Sequence, residues 1–192
     1  MKLEVLLLKL SEGMLVSVEI FTLTLLFSLP LGLFVAFGRM SKNPLLRNII
    51  KIYISIMRGT PLILQLMVVY FGPYYIFGLP TPHRFLAVII GFVLNYAAYF
   101  AEIYRAGIES MPLGQYEAAK VLGYNKTQTF IKIILPQVIK RILPPVTNEV
   151  ITLVKDTSLA FVISVPEMFT AAKAIASAQA SMLPFVGAGI FY

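Results

Sequence analysis

The segment EAAKVLGYNKTQTFIKIILP, Glu117–Pro136, decides how this chain is interpreted. It follows the pattern E-A-A-x₃-G-x₉-I-x-L-P and lies in a polar interval between two very apolar ones. The residues from Glu117 to Lys120 favour a helix, and Gly123 can adopt the left-handed conformation that ends one. The pattern predicts a short helix, a turn at Gly123 and a second short helix ended by Pro136. We expect a small, rigid projection that another protein can hold.

The composition is that of a membrane protein. Of the 192 residues, 58% are hydrophobic and 13% are charged, and the mean hydropathy is +0.83. A soluble domain carries about 25% charged residues. The absence of cysteine excludes disulfides and thiolate metal sites, and a single histidine excludes a multi-histidine metal centre within one chain. We interpret the net charge of +7 as basic cytoplasmic loops rather than as a nucleic-acid surface.

The apolar stretches predict an all-α, polytopic membrane protein in one transmembrane domain, residues 1–192. A short amphipathic lead precedes the first span, and Pro144-Pro145 interrupts the fourth. The predicted complete spans are about 14–38, 61–77, 85–108 and 136–154, with a cytoplasmic loop at 109–136 and a short helix at 166–180. A fifth span begins at 184, but the eight residues after Pro184 rise only about 12 Å of a core about 30 Å thick, so we expect its remainder to be absent.

Basic residues predict the orientation of the chain in the membrane. Five of them and no acidic residue occur between Arg39 and Arg58. Cytoplasmic loops carry such an excess, so the first span enters from outside and the N-terminus is external. The loop 109–136 is also rich in lysine, which agrees with a cytoplasmic position.

Polar residues form a stripe on each of two predicted spans. The third span carries Asn95, Tyr99 and Glu102 on one face, by helical spacing. The fourth carries a second set of polar residues: Asn148, Glu149, Thr152, Lys155 and Asp156. Because polar groups inside a membrane are costly, we expect the stripes to face each other or a water-filled cavity.

Simpler interpretations of these residues stay open. Glu102 can pair with Arg105, and Lys155 with Asp156. Asn148 and Thr152 can be hydrogen-bonding contacts between helices. Glu149 has no basic neighbour one turn away, and it is our first choice for contact with a substrate.

The sequence Arg58-Gly59-Thr60-Pro61 predicts a sharp break before the second span. Glycine and proline there can free backbone groups near the membrane, and Gln65 adds a polar group on the helix that follows. The alternative, which the residue types favour, is an ordinary helix cap at Thr60 followed by a first-turn proline at Pro61.

The whole chain resembles the polar amino acid family of ABC importer permeases, which handles histidine, glutamine, glutamate, arginine and opines. Several motifs carry the resemblance besides the Glu117–Pro136 pattern, which is similar to the EAA loop of these importers. They are Arg58-Gly59-Thr60-Pro61-Leu62 with Gln65, Ala101-Glu102-Ile103 with Arg105-Ala106-Gly107-Ile108, Gly114-Gln115, and Lys155-Asp156-Thr157-Ser158-Leu159.

The resemblance implies the MetI-like fold of type I importers in a bacterial or archaeal inner membrane. It also implies a second permease subunit, identical or related, two ATP-binding subunits and an external amino acid binding protein. Glu117, Ala118, Ala119 and Gly123 would contact the ATP-binding subunit. The residues of the substrate path would be drawn from this set: Thr60, Gln65, Asn95, Tyr99, Glu102, Glu149, Thr152, Asp156 and Thr157.

The expected function is that of a transport subunit that is not itself an enzyme and needs no cofactor. The sequence has no G-x₄-G-K-[S/T] run, so it lacks a P-loop for nucleotide, and hydrolysis belongs to a partner. Two other interpretations are a membrane-embedded enzyme that uses intramembrane carboxylates, and a structural or regulatory partner of an ATPase that carries no solute. Neither a catalytic pair motif nor a metal set supports the enzyme.

Overall fold

A computed structural model describes residues 3–192 of the chain, and within this range the secondary structure consists of helices without strands. The α-helices are α1 (Leu3–Arg39), α2 (Pro44–Gly59), α3 (Leu62–Phe77), α4 (Arg84–Glu109), α5 (Leu113–Val121), α6 (Lys126–Thr129), α7 (Leu135–Asp156), α8 (Met168–Gln179) and α9 (Leu183–Phe191). A π-helical turn, Phe130–Ile134, joins α6 to α7, and a 3₁₀ helix, Thr157–Ile163, follows α7. The all-α prediction is confirmed.

Helix α4 forms the centre of the structure. The α1, α2, α3 and α7 helices all pack against it. Phe92, Tyr96 and Phe100 repeat at helical spacing along α4 and are buried almost completely. Their burial fixes α4 in place, so the polar side chains on its other face have defined positions.

Helix α1 begins well before the first predicted span. It starts at Leu3 rather than at Met14, because Leu6 and Leu10 are buried against α8 and α9. The expected amphipathic lead is therefore the first part of the same helix. Its close contact with α8 is possible because Gly13 has no side chain: a Cβ there would lie 2.7 Å from the Met168 Cα.

Gly13→Ala is expected to destabilise the protein by about 1–3 kcal/mol, because the added methyl group meets backbone atoms that cannot rotate away. In detergent this should lower the Tm by roughly 5 °C, measured by thermal unfolding. Gly189→Ala is the matched control, because a Cβ at Gly189 meets nothing within 4 Å. Equal Tm values for the two variants would contradict the packing argument.

Helix α7 corrects two predictions about proline. Pro136 does not end a helix; it lies in the first turn of α7, directly after the π-helical turn. In that turn the Leu135 N–H donates to the Phe130 carbonyl, which widens the helix ahead of the proline ring. Pro144 and Pro145 also lie inside α7 without interrupting it, so the predicted interruption of the fourth span is wrong.

Helix α2 was not predicted as a helix, although local signals for it exist. Asn43 caps it by accepting a hydrogen bond from the Leu45 N–H at 3.0 Å, and Pro44 occupies its first turn. It meets α3 at an angle of 111°. The sharp break predicted at Arg58–Pro61 is therefore confirmed.

The helices near the C-terminus agree with the predicted positions. Helix α8 matches the short helix expected at 166–180, and α9 starts next to the expected residue 184. The buried Glu167 carboxylate caps α8 by accepting from the Phe169 and Thr170 N–H groups, each at 2.6 Å. The sequence interpretation had assigned no role to Glu167.

Two helices are long and apolar enough to span a membrane by themselves, over Glu4–Arg39 and Arg84–Glu109. Two further spans result if each bent pair counts as one: α2 with α3, and the stretch Lys126–Ile163 with α8. The number of spans and their limits stay a prediction.

Candidate functional site

A polar cluster holds the break between α2 and α3 against α4. The Gln65 Nε2 donates to the Met57 carbonyl at 3.0 Å and to the Thr60 hydroxyl at 2.8 Å. The Asn95 Nδ2 donates to the same Met57 carbonyl at 3.0 Å and to the Gln65 Oε1 at 2.9 Å. These bonds satisfy backbone carbonyls that the helix break leaves free. Thr60, Gln65 and Asn95 therefore form one hydrogen-bonded cluster.

The alternative interpretation, in which Thr60 is an ordinary helix cap and Pro61 lies in the first turn of the helix, is wrong. Pro61 itself occupies the N-cap position of α3, which has no side-chain cap hydrogen bond. The Thr60 hydroxyl instead donates backwards to the Ile56 carbonyl at 2.8 Å. The segment thus ends α2 and turns the chain.

Asn95→Ala is expected to lower the free energy of unfolding by about 1–3 kcal/mol, because the Gln65 Oε1 loses its donor in a buried site. Asn148→Ala serves as the control, since Asn148 is exposed and should change stability by less than about 0.5 kcal/mol. Thermal or denaturant unfolding in detergent measures both. An unaltered Asn95→Ala protein would show that this cluster does not stabilise the break.

Two neighbouring cavities lie between α4 and α7. The first, of about 460 Å³, is lined by charged and polar residues that include Arg58, Tyr99, Glu102, Arg141 and Glu149. The second, of about 390 Å³, is lined by Thr60, Asn95, Tyr96, Tyr99, Glu149, Thr152 and Asp156, among others. Tyr99 and Glu149 line both cavities. Of the predicted stripes, Asn95, Tyr99 and Glu102 of α4 and Glu149, Thr152 and Asp156 of α7 line these cavities, whereas Asn148 and Lys155 line neither.

Asp156 is held by a residue that sequence reasoning missed. The Tyr96 hydroxyl donates to the Asp156 Oδ2 at 2.7 Å. Tyr96 lies on the buried side of α4, next to Asn95, and it was assigned to no stripe. A buried tyrosine hydroxyl needs a hydrogen-bond partner, and this requirement was the signal that could have indicated a polar contact for Tyr96. The suggested Lys155–Asp156 ion pair is not among the ion pairs of residues 4–192.

Glu102 makes the ion pair that was its simpler interpretation. Arg105 donates to both carboxylate oxygens, through Nε at 3.0 Å and through Nη2 at 2.7 Å. Arg105 also pairs with Glu109. Arg39 and Arg58 each approach the Glu102 carboxylate to 3.9 Å. Glu102 therefore borders the first cavity with its charge already balanced.

Glu149 differs from Glu102 because no basic group lies within 4 Å of its carboxylate among the described residues. It is only partly buried, and Arg58 lines the first cavity together with it. Thr152 lines the second cavity, with its hydroxyl donating to the Asn148 carbonyl of the same helix. Thr152 is thus bonded within α7 rather than between helices.

Thr157 lies away from this space. It is 1% exposed, its hydroxyl donates to the Val154 carbonyl at 2.8 Å, and it lines a separate, apolar cavity beside α1. Gln65 lines neither cavity, but it is hydrogen-bonded to Asn95 and to Thr60, which both line the second one. Of the nine path candidates, these two do not line either cavity between α4 and α7.

The Glu117–Pro136 segment is a compact projection between α4 and α7. Helix α5 carries Glu117 and Ala118 on its exposed side, whereas Ala119 is fully buried. Gly123 has a φ of +78°, so the predicted left-handed turn is confirmed. Asn125 and Gln128 then form a capping box that starts α6.

Side-chain contacts hold together the helix ends that flank this projection. Arg141 of α7 donates to the Ser110 carbonyl at 2.7 Å and to its hydroxyl at 2.9 Å. Met111, Ile134 and Val138 form a buried cluster beneath α5. Leu113, Val121 and Leu122, by contrast, are more than two-thirds exposed on its outer surface. A rigid projection with exposed apolar side chains is suited to contact another protein.

Comparison with known proteins identifies the class. The sequence profile of the family described as "Binding-protein-dependent transport system inner membrane component" matches residues 28–192. The chain belongs to this family of multi-pass inner-membrane transport proteins.

Individual relatives narrow the resemblance. The "Probable amino-acid ABC transporter permease protein YckA" of Bacillus subtilis is 49% identical over 148 residues, which are 76% of this chain and 63% of that protein. The "L-cystine transport system permease protein TcyB" of the same organism is 40% identical over 168 residues, covering 86% of this chain and 70% of that protein. The matched part thus spans about two thirds of these relatives. Their names confirm the resemblance to amino acid ABC transporter permeases.

Solved structures of ABC transporters have the same fold as this chain. The "Crystal structure of an amino acid ABC transporter with histidines" superimposes with a TM-score of 0.88 at 32% identity, covering 96% of this chain and 86% of that one. The MetNI methionine ABC transporter gives a TM-score of 0.66 at 18% identity, over 100% of this chain and 92% of that one, and it supports the fold alone. The predicted MetI-like permease fold is confirmed.

Proposed function

We propose that the chain is the membrane-spanning permease subunit of an ATP-driven amino acid importer. The observation that carries the proposal is the pair of polar cavities between α4 and α7, the two helices that the segment with the Glu117–Pro136 projection connects. The solute path and the contact surface for an ATP-binding subunit would therefore be connected by the same two helices. The amino acid class of the relatives supports the choice of substrate.

The chemistry of the cavities suits a zwitterion. An amino acid that leaves water must find a partner for each charge. The Glu149 carboxylate, which has no basic partner within 4 Å in the described part of the chain, is available for an ammonium group. Arg58 lines the same cavity and is available for a carboxylate. Asp156, which accepts a hydrogen bond from Tyr96, contributes a second acidic group in the second cavity, which Glu149 also lines.

Energy for transport comes from partner subunits in this proposal. The exposed Glu117 and Ala118 side of α5 contacts an ATP-binding subunit, while the buried Ala119 and the left-handed Gly123 keep the shape of the projection. Movement of the projection reaches the cavities through α4 and α7. A second permease subunit completes the path, and an external binding protein delivers the amino acid.

Reconstitution tests the function. The chain is assembled with its ATP-binding subunits and binding protein in liposomes, and ATP hydrolysis and uptake are measured against a panel of amino acids. Stimulation by at least one amino acid, together with its accumulation, is the expected result. Hydrolysis without accumulation of any of them would favour the non-transporting structural or regulatory partner instead.

We also propose that the N-terminus is external and that the turn before α2 lies in the cytoplasm. This orientation has its own test, because the chain contains no cysteine. Single cysteines are introduced at Thr81, in the turn before α4, and at Lys42, in the turn before α2. An impermeant thiol reagent added to intact cells should label Thr81→Cys and leave Lys42→Cys unlabelled until the membrane is opened. The reverse pattern would overturn an external N-terminus.

A further inference from the structure

A separate cavity lies where the end of α1, the end of α2 and the side of α4 meet. It has a volume of about 400 Å³ and is lined by Arg39, Lys51, Arg58 and Glu102, together with Ile54, Ser55 and Gly59. Three of its four charged residues are basic. It is distinct from the second cavity between α4 and α7, and it shares only Arg58 and Glu102 with the first.

The single acidic group in this cavity cannot balance the basic ones. Both Glu102 oxygens already accept hydrogen bonds from Arg105, which does not line the cavity. Arg39 and Arg58 remain 3.9 Å from the carboxylate, beyond hydrogen-bonding distance. Lys51 makes no ion pair within residues 4–192. Within the described residues the cavity therefore holds excess positive charge, and Arg39, Lys51 and Arg58 make no hydrogen bond to the Glu102 carboxylate.

The surface of α2 indicates which kind of anion fits this cavity. Only Ile54 is buried on this helix, whereas large apolar side chains are exposed along it: Leu45, Leu46, Ile49, Ile52 and Ile56. Arg47 and Lys51 alternate with them in the sequence. A helix with exposed apolar side chains and basic residues is typical of the boundary between lipid and water. A free anion would need no such apolar surface beside its site.

We propose that this cavity binds the phosphate headgroup of an anionic phospholipid, through Arg39 and Lys51, with the exposed apolar side chains of α2 against its acyl chains. Basic pockets between helices on the cytoplasmic side are suited to such headgroups. The inference rests on the orientation proposed above, which places α2 at the inner leaflet. The lipid fastens the end of α2, and hence the Arg58–Pro61 break, to the membrane.

Native mass spectrometry of the purified membrane complex tests the proposal directly. The complex is titrated with phosphatidylglycerol and, in parallel, with phosphatidylcholine of the same acyl chains. Arg39→Gln combined with Lys51→Gln should weaken phosphatidylglycerol binding by roughly 30-fold, since each basic side chain near an anionic lipid contributes about a fivefold factor. Binding of phosphatidylcholine should be unchanged.

A matched control removes the same charge from the same segment. Lys42→Gln combined with Arg47→Gln also lowers the net charge by two, but neither residue lines the cavity. It should retain most phosphatidylglycerol binding. If the Arg39 substitution prevents folding, Lys51→Gln alone should still weaken binding about fivefold, because Lys51 is exposed and unpaired within residues 4–192.

Three results would overturn the proposal: equal loss in the cavity and control variants, equal binding of both lipids, or displacement of phosphatidylglycerol by millimolar inorganic phosphate, which would indicate a site for a free anion. The measurement needs no transport activity. A complex that binds the lipid but carries no amino acid would overturn the proposed function alone, and the converse would overturn the lipid site alone.

Discussion

Gly123→Val is expected to reduce ATP-driven amino acid uptake by about 5–30-fold while the chain still assembles in the membrane. Gly123 has a φ of +78°, a conformation that costs a residue with a side chain roughly 1–2 kcal/mol. Valine would shift the turn after α5 to another conformation and move the exposed Glu117 side out of its place. Since each 1.4 kcal/mol is a factor of ten, a penalty of this size reduces the competent population by about 5–30-fold.

The control for Gly123 is a second glycine with the same backbone. Gly78, after α3, has a φ of +65°, and a Cβ at either glycine meets nothing within 4 Å. Gly78→Val therefore introduces similar strain on the opposite end of the helices. Uptake into liposomes and the amount of assembled complex are measured for both. Unchanged uptake in Gly123→Val, or an equal loss in Gly78→Val, would contradict a coupling role for the projection.

Glu149→Gln should raise the substrate concentration needed for half-maximal uptake by about 10–100-fold. Glutamine keeps the size of the side chain but removes the charge proposed to hold an ammonium group, and a hydrogen bond to a charged group contributes about 1.5–3 kcal/mol. ATP hydrolysis in the absence of substrate should be retained, because Glu149 lies on α7, outside the projection that is proposed to contact the ATP-binding subunit.

Glu12→Gln is the control for this charge, since Glu12 is an exposed carboxylate on α1 that lines neither cavity between α4 and α7. It should leave uptake within about twofold of the parent protein. Concentration-dependent uptake distinguishes the two variants. If Glu149→Gln transports with an unaltered half-saturation concentration, the ammonium partner must be sought elsewhere, with Asp156 as the next candidate.

Much of the site could be predicted from sequence because it lies on regular helices. Asn95, Tyr99 and Glu102 are spaced at helical intervals, and α4 brings them to one side. The break at Arg58–Pro61 and the turn at Gly123 depend on glycine and proline, whose backbone preferences are local. Such features need no knowledge of distant contacts.

Other features were missed or wrong because they depend on contacts between distant parts of the chain. The Tyr96–Asp156 bond joins residues 60 positions apart. Pro136 was expected to end a helix, but the π-helical turn before it accommodates the ring. Thr157 was placed on the path by resemblance, whereas packing against α1 buries it.

The sequence by itself determined the membrane character of the protein, its helical structure and the position of the projection. These follow from composition, hydropathy and short-range spacing, which act over one or two helical turns. Only the tertiary structure decided which charges are balanced. Arg39 of α1 and Arg58 of α2 approach Glu102 of α4 to 3.9 Å, in addition to its local partner Arg105, while Glu149 has no basic group within 4 Å among the described residues. Electrostatic pairing depends on distances between separate helices, and packing alone sets those distances.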